Sequence, residues 1–325
     1  MELIIDMMGG DNGTQATKQA VIRFQKTHPD CTLTLLGDAK ELADLGDSFT
    51  IIPTTQVVKM ESGVMEVLRL RDSSLVRGMN EVINRKADGI VSCGSTGAFL
   101  ASATLILKKI PGVYRPALCT QFPHLSNGGF VSVLDVGASN ENTKEELAQF
   151  AFMGSLYSKF VNNISSPKVA LLSNGAEKGK GCPEGKDAYP LIEADKRINF
   201  IGNIEASNIF YGPADVVVAD GYSGNVLIKA TEGAAKAMGN LTKQAFKRNF
   251  FSKIGYLLSK KGFASLKDTM NPKTVGGALL EGVNAVAVKG HGNSDAEAFY
   301  HAIDLAYRLA KNHIVDEIKK GFANG

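Results

Sequence analysis

The chain has 325 residues, 44 % of them hydrophobic and 21 % charged, with a formal net charge of +3. That is enough for one large domain or two intimate subdomains around a sizeable core. So small a positive charge gives no ground for nucleic-acid binding, and no RNP-like or helix-turn-helix signal stands out. Cys31, Cys93, Cys119 and Cys182 are widely spread, with no CxxC pair to suggest zinc. No basic and apolar leader opens the chain, and no apolar run reaches about 18 residues. A soluble enzyme in a reducing cytoplasm is expected.

Leu3–Asp6 reads as a strand, followed by the turn MMGGDNGT and a helix over about 14–26. Thr32–Leu36 is a second strand, and Ile51–Pro53 with Val57 and Val58 a weaker one. Helical patterns follow at Val64–Leu68 and Ser74–Arg85. Gly89–Ser92 is a strand and Gly97–Lys108 a helix. Val131–Asp135 is a strand, Glu145–Phe160 a helix, and Lys168–Leu172 a strand again. Asn199–Ile201 and Val216–Ala219 are strands before a helix at Asn225–Ala237. Strand, glycine-polar turn and helix, repeated, predict a largely parallel sheet with helices on both faces. Continuous runs such as Val216-Val217-Val218 suit strands buried on both faces. No fixed period and no low-complexity linker appears, so residues 1–325 read as a single α/β domain.

Five glycine-rich turns follow strands: DMMGGDN (6–12), SCGSTGA (92–98), LDVGAS (134–139), NGAEKGKG (174–181) and DGYSGNV (220–226). Open α/β sheets bind ligands outside the carboxyl ends of their strands, so all five are expected at that edge. Glycine lets backbone approach a ligand, and a helix N-terminus offers free N–H groups to an anion. The first turn supplies Gly9, Gly10, Asp11 and Asn12 as phosphate-binding candidates, and the second Gly94, Ser95, Thr96 and Gly97. Gly137, Gly181, Asp220, Gly221, Ser223 and Gly224 complete the set. Each turn alone reads equally well as a tight connection. The Walker pattern is absent and MMGGDN lacks the third glycine of a dinucleotide fingerprint, so no nucleotide is predicted.

Asp6 and Asp11 flank the first turn and Asp135 and Asp220 each end a strand, where an aspartate caps a turn or holds a metal; neither metal nor cofactor is expected. Lys178 and Lys180 lie in the fourth turn, as flexible cations for an anionic oxygen or as solvated surface. Asn225 at a helix start is a cap or an oxyanion donor. His291, between glycines in KGHGNSD, is a candidate acid-base or anion-binding group. Cys93 is a weaker candidate nucleophile, with no partner near it in sequence. No GxSxG elbow occurs.

In this order the motifs resemble the bacterial phosphate acyltransferases that use acyl carrier protein, over essentially the whole chain. The set is Asp6–Asn12, Arg69–Ser74, SCGSTGA, RPAL (115–118), LDVGA, Gly175–Gly181, Phe200–Ala206, DGYSGNV, GGALLxG and HGxSD. The family usually has SAGNTGA and LDVGAN; Cys93, Ser95 and Ser139 depart from it, and Val275 stands where an aromatic residue is usual. The resemblance implies an isocitrate/isopropylmalate-dehydrogenase-like (Rossmann-like) fold shared with phosphotransacetylases, and a homodimer. It implies transfer of a long-chain fatty acyl group from acyl carrier protein to inorganic phosphate. The acyl phosphate would feed a membrane acyltransferase that starts phospholipid synthesis.

Phosphate is already a nucleophile, so the work is positioning and charge stabilisation. Site chemistry and resemblance together put Lys180 and Asn225 at the reacting centre, Glu177 as the group orienting Lys180, and His291 behind them. The glycine backbone and Lys180 are expected to hold the phosphate.

Residues 233–267 contain eight Lys or Arg and no Asp or Glu. A basic amphipathic helical tip is expected at about 238–267. Phe250, Phe251, Ile254, Leu257 and Leu258 would face an anionic membrane or the carrier protein, beside Lys247, Arg248 and Lys253. Peripheral membrane association fits this, and so does a plainer core or dimer helix. Competing readings of the whole chain are a phosphotransacetylase acting on short acyl-CoA, an NAD-dependent decarboxylating dehydrogenase, and a non-catalytic anion-sensing scaffold.

Overall fold

Leu3 and Ile5 pack into one hydrophobic cluster and Ile4 into another. The first strand is therefore covered on both faces, as a parallel strand must be. The protein, seen in a computed structural model, is described over residues 1–58, 62, 64–269 and 276–323. Its strands are β1 (Glu2–Asp6), β2 (Thr32–Gly37), β3 (Thr50–Pro53), β4 (Gly89–Ser92), β5 (Ala117–Pro123) and β6 (Phe130–Leu134). The remainder are β7 (Lys168–Ser173), β8 (Asn199–Glu205), β9 (Val216–Val218), β10 (Ala278–Glu281) and β11 (Val286–Lys289). The helices begin with α1 (Gly13–Thr27), α2 (Ala39–Leu42), α3 (Val64–Arg69), α4 (Ser74–Arg85), α5 (Thr96–Ser102) and α6 (Lys144–Val161). Then come α7 (Pro183–Ala194), α8 (Gly221–Lys247), α9 (Phe250–Thr269), α10 (Ala296–Lys311) and α11 (Ile314–Ala323).

The eleven strands among the described residues join one sheet in the order β3-β2-β1-β4-β11-β10-β5-β6-β9-β7-β8. One face is covered by α1, α6, α7, α10 and α11, the other chiefly by α4 and α5. Local chemistry explains the fit. Thr143 and Glu146 form a capping box that starts α6. In α4, a side chain at Gly78 would meet Ile90 at 2.9 Å, so glycine lets the helix lie down on β4.

The reading in sequence did not assign β5, β10 and β11, nor α7, α10 and α11. The three strands change the geometry. β4 and β11 run parallel, but β11–β10, β10–β5 and β5–β6 are each antiparallel. Three reversals turn β6, and with it β9, β7 and β8, opposite to β1 and β4. The five turns therefore do not share one edge. The β1 and β4 turns leave one edge of the sheet, and the β6, β7 and β9 turns leave the opposite one. Val275, where the usual aromatic residue is missing, lies outside the described residues.

Candidate active site

The β6 turn is built around Asp135. Its buried carboxylate accepts the N–H groups of Leu118, Gly137, Ala138 and Ser139 at 2.8–3.0 Å, and the Ser139 hydroxyl at 2.8 Å. Burial pushes its pKa up, against those hydrogen bonds. Helix α8 then starts against this turn with no room for side chains. A Cβ at Gly221 would meet Ser139 O at 2.0 Å, and one at Gly224 would meet Asp135 O at 1.9 Å.

This packing consumes donors that the sequence offered to phosphate. Gly221 N donates to Asn142 Oδ1 (2.9 Å), Ser223 N to the Asp220 N-cap carboxylate (2.8 Å) and Gly224 N to Asp220 O (2.9 Å). Gly181 N donates to Asn174 Oδ1 (3.0 Å) and Gly94 N to Ser92 Oγ (3.1 Å). The expected backbone cradle of Gly94, Gly137, Gly181, Gly221, Ser223 and Gly224 is thus spent on the fold. Asp220 and Asp135 act as caps.

Side-chain donors are what remain. Asn225 is exposed, packs its amide against Gly137 (φ +119°), and makes no side-chain hydrogen bond among the described residues. The lysine loop lies alongside, since Asp220 is near enough to Cys182 to add to the burial that raises that thiol's pKa. Lys180 is exposed, with no ion pair among the described residues. Its N–H donates to Glu177 O at 3.0 Å, and Asn203 Nδ2 holds the same carbonyl at 2.8 Å. No ion pair joins the Glu177 and Lys180 side chains, so backbone geometry orients the lysine. Lys178 is committed elsewhere, 2.6 Å from Glu193.

On the opposite edge, Asp6 accepts the Ser92 hydroxyl at 2.6 Å, and a Cβ at Gly9 would meet Asp6 Oδ2 at 2.5 Å. The Asn12 side chain makes no cap hydrogen bond to α1. Its amide donates to the carbonyls of Asn293 (2.8 Å) and Ser294 (3.0 Å), while Asp11 N donates to Gly292 O (2.8 Å). Thr96 and Gly97 are exposed, whereas Gly94 and Ser95 are buried. Burial pushes the Cys93 thiol up to about 11, which keeps it protonated and disfavours a nucleophilic role. No group of three His, Cys, Asp or Glu among the described residues could hold a metal ion.

Helix α8 links the two edges. Asn225, Lys229 and Glu232 stand at i, i+4 and i+7, so one face of α8 carries all three. At 1.5 Å per residue that face runs roughly 10 Å from Asn225 to Glu232. There it meets the β11 turn: His291 Nε2 lies 3.4 Å from Glu232 Oε1, and Lys229 Nζ lies 3.5 Å from Glu232 Oε2. Burial lowers the His291 pKa; Glu232 opposes this, and Lys229 and Lys289 add to it. Lys289 is buried, bonded to Gly290 O, and its pKa is lowered by desolvation. The sequence reading missed Lys229, Glu232 and Lys289. A helical wheel of α8 shows the first two on the Asn225 face, and Lys289 ends an apolar VAV run.

Beyond Glu232 the helix leaves the body and turns back as α9. Phe246, Tyr256 and Phe263 hold the two helices together with ring centroids 4.7–5.9 Å apart. Phe251 and Leu258 are 82 % and 83 % exposed, and Phe250, Ile254 and Leu257 are exposed with them. Lys247, Arg248 and Lys253 are exposed too. Within this chain the stretch is no core helix. No helix among the described residues is long and apolar enough to cross a membrane.

A family model described as a fatty acid synthesis protein matches residues 1–317. A phosphate acyltransferase of Exiguobacterium sp. is 39 % identical over 329 residues, covering 99 % of each chain. Among solved structures, a phosphotransacetylase from Streptococcus pyogenes superposes with a TM-score of 0.60 at 19 % identity, covering 96 % of this chain and 94 % of its own. A 4-hydroxythreonine-4-phosphate dehydrogenase from Burkholderia phymatum does so with a TM-score of 0.51 at 13 % identity, covering 95 % and 98 %. The fold is thus one that transacylases and dehydrogenases share, as expected.

Proposed function

This chain belongs to the phosphate acyltransferases of fatty acid synthesis, and we propose that it moves a long-chain fatty acyl group from acyl carrier protein to inorganic phosphate. The products are acyl phosphate and free carrier protein, with the acyl phosphate passing to a membrane acyltransferase. The observation that carries this reading is the polar face of α8. It sets an uncommitted amide (Asn225), an ammonium (Lys229) and an imidazole beside a carboxylate (His291 by Glu232) along one line.

A phosphate oxygen must meet a thioester carbonyl carbon there. Lys180 and Lys229 draw in and hold the dianion as point charges. Asn225 donates to the oxyanion that develops on the carbonyl, where one donor is worth roughly 10²–10³ in rate. His291 handles the proton. Glu177 sets the turn that aims Lys180. The exposed basic and apolar face of α9 suits peripheral contact with an anionic membrane, in a homodimer working at the cytoplasmic surface. An acidic carrier protein is drawn to the same positive field.

The test is a phosphate-dependent assay with long-chain acyl carrier protein, following acyl phosphate. Turnover with acyl carrier protein is expected, falling sharply in Lys180→Ala and Asn225→Ala. Wild-type turnover in both variants overturns the site. Turnover only with short acyl-CoA overturns the donor and makes the protein a phosphotransacetylase.

A further inference from the structure

The stoichiometry of the proposed reaction makes a demand on the site. When HPO₄²⁻ attacks the thioester, a C–O bond forms, the C–S bond breaks and its electron pair leaves on sulfur. The single proton of the dianion must end on that sulfur. Direct transfer is hindered while the phosphate oxygen is bonding to carbon. A group that accepts the proton and returns it must have a free lone pair at rest. Lys180 and Lys229 are exposed ammonium groups with no lone pair to take a proton. A neutral imidazole has one nitrogen that donates and one that accepts, so it meets the demand if its tautomer is fixed.

His291 sits between glycines in the turn after β11, and the ion-pair partner of its ring is Glu232. The Glu232 Oε1 atom is buried and makes no hydrogen bond within standard limits; its nearest contact is the imidazole Nε2 at 3.4 Å. That distance is long for a hydrogen bond, as catalytic contacts often are before substrate arrives. The other oxygen is engaged by Lys229 at 3.5 Å, which anchors the carboxylate on α8. The imidazole makes no hydrogen bond through Nδ1 among the described residues.

We infer that Glu232 is a positioning residue for this reaction: it pins His291 with Nε2–H toward α8 and leaves Nδ1 to carry the proton from phosphate to sulfur. The inference rests on the acyl-to-phosphate reading above. Glu232 itself touches no substrate. The charged groups facing the imidazole are Glu232 and Lys229 from α8 and Lys289 from its own strand. The two lysines disfavour the imidazolium and Glu232 favours it. Removing the carboxylate therefore does two things: it frees the tautomer and lowers the imidazole's affinity for the proton in transit.

The experiment uses Glu232→Gln, His291→Ala and the double variant in the full-length protein, with Glu232→Asp as the conservative partner. Glu232→Gln is expected to lower kcat roughly 10–10²-fold, the usual loss when a ligand-orienting partner is removed. KM for the acyl carrier protein should stay within about twofold, and Glu232→Asp should recover part of kcat. The acidic limb of the pH–kcat profile should move to lower pH. Added to His291→Ala, the Gln change should cost nothing more, because its effect runs through the imidazole. Multiplicative losses in the double variant overturn the inference, as does an unmoved pH profile. Nitrogen-15 NMR of the histidine ring supplies a readout independent of turnover. Nε2–H is expected in the wild type, shifting toward the other tautomer in Glu232→Gln. A wild-type Nδ1–H tautomer, or one indifferent to Glu232, overturns the pinning. Correct tautomer shifts in a protein with no phosphate-dependent turnover overturn the reaction instead.

Discussion

The two ends of α8 live under opposite rules. At its start, Gly221 and Gly224 lie so close to the β6 turn that a Cβ would stand 2.0 and 1.9 Å from backbone oxygens. At Gly233 and Gly239, further along the same helix, a Cβ would meet nothing within 4 Å. The first stretch is clamped and places Asn225. The last stretch projects and carries exposed apolar and basic side chains into α9. Between them lie Lys229 and Glu232. Glycine at the start is there for contact distance, while glycine in the projecting half makes no contact that a side chain would disturb.

That contrast can be broken at either end. Gly224→Ala forces α8 off Asp135 O, and urea unfolding is expected to show a loss of at least about 4 kcal/mol. Asn225→Ala leaves the clamp and removes only an exposed amide. Stability should hold while kcat falls roughly 10²–10³-fold, measured by acyl phosphate formation. At the far end, Phe250→Glu with Ile254→Glu should weaken sedimentation with anionic vesicles at least about tenfold. Turnover in solution should stay within about twofold; if vesicle binding survives, the projecting half has another partner.

Smaller effects sharpen the picture away from the clamp. Glu281 lies in β10, fully buried beside the Cys119 thiol. Burial raises its pKa from 4.5 to about 8. The folded state therefore holds a proton that the unfolded chain releases above about pH 4.5. Stability must fall as pH rises from there through about 8. Glu281→Gln mimics the protonated form, so its Tm should match wild type near pH 5 and exceed it by a few degrees near pH 8. Gly239→Ala should be the smallest effect, a gain of about 0.5–1 kcal/mol from helix propensity alone, read in the same unfolding assay.

Much of the α/β architecture was legible because its parallel strands are continuous apolar runs, such as Leu3–Ile5 and Val216–Val218. The centre was not. In β5, Thr120 bonds Gly277 O and Gln121 bonds Asn162, so polar residues are satisfied inside a buried strand and break the apolar pattern. Missing β5, β10 and β11 meant missing the reversal that separates the turns. The glycines of the site were visible, but their use was not. Whether Gly137 N–H is free depends on Asp135, and whether Asn12 is free depends on residues 293 and 294. Lys229 and Glu232 fall inside the helix expected at Asn225–Ala237, where charged residues read equally well as a solvated face.

The place of β11 has a consequence for how the chain is made. It fills the gap between β4 and β10, and β4 has no other partner on that side. At ordinary synthesis rates of about 5–20 residues per second, roughly 10–40 s separate the emergence of β4 from that of β11. Through that interval the amino-terminal half carries an open strand edge, the kind that invites wrong pairing. The link from Asn12 to residues 293 and 294 then seals the joint, so the first turn translated is among the last to be locked.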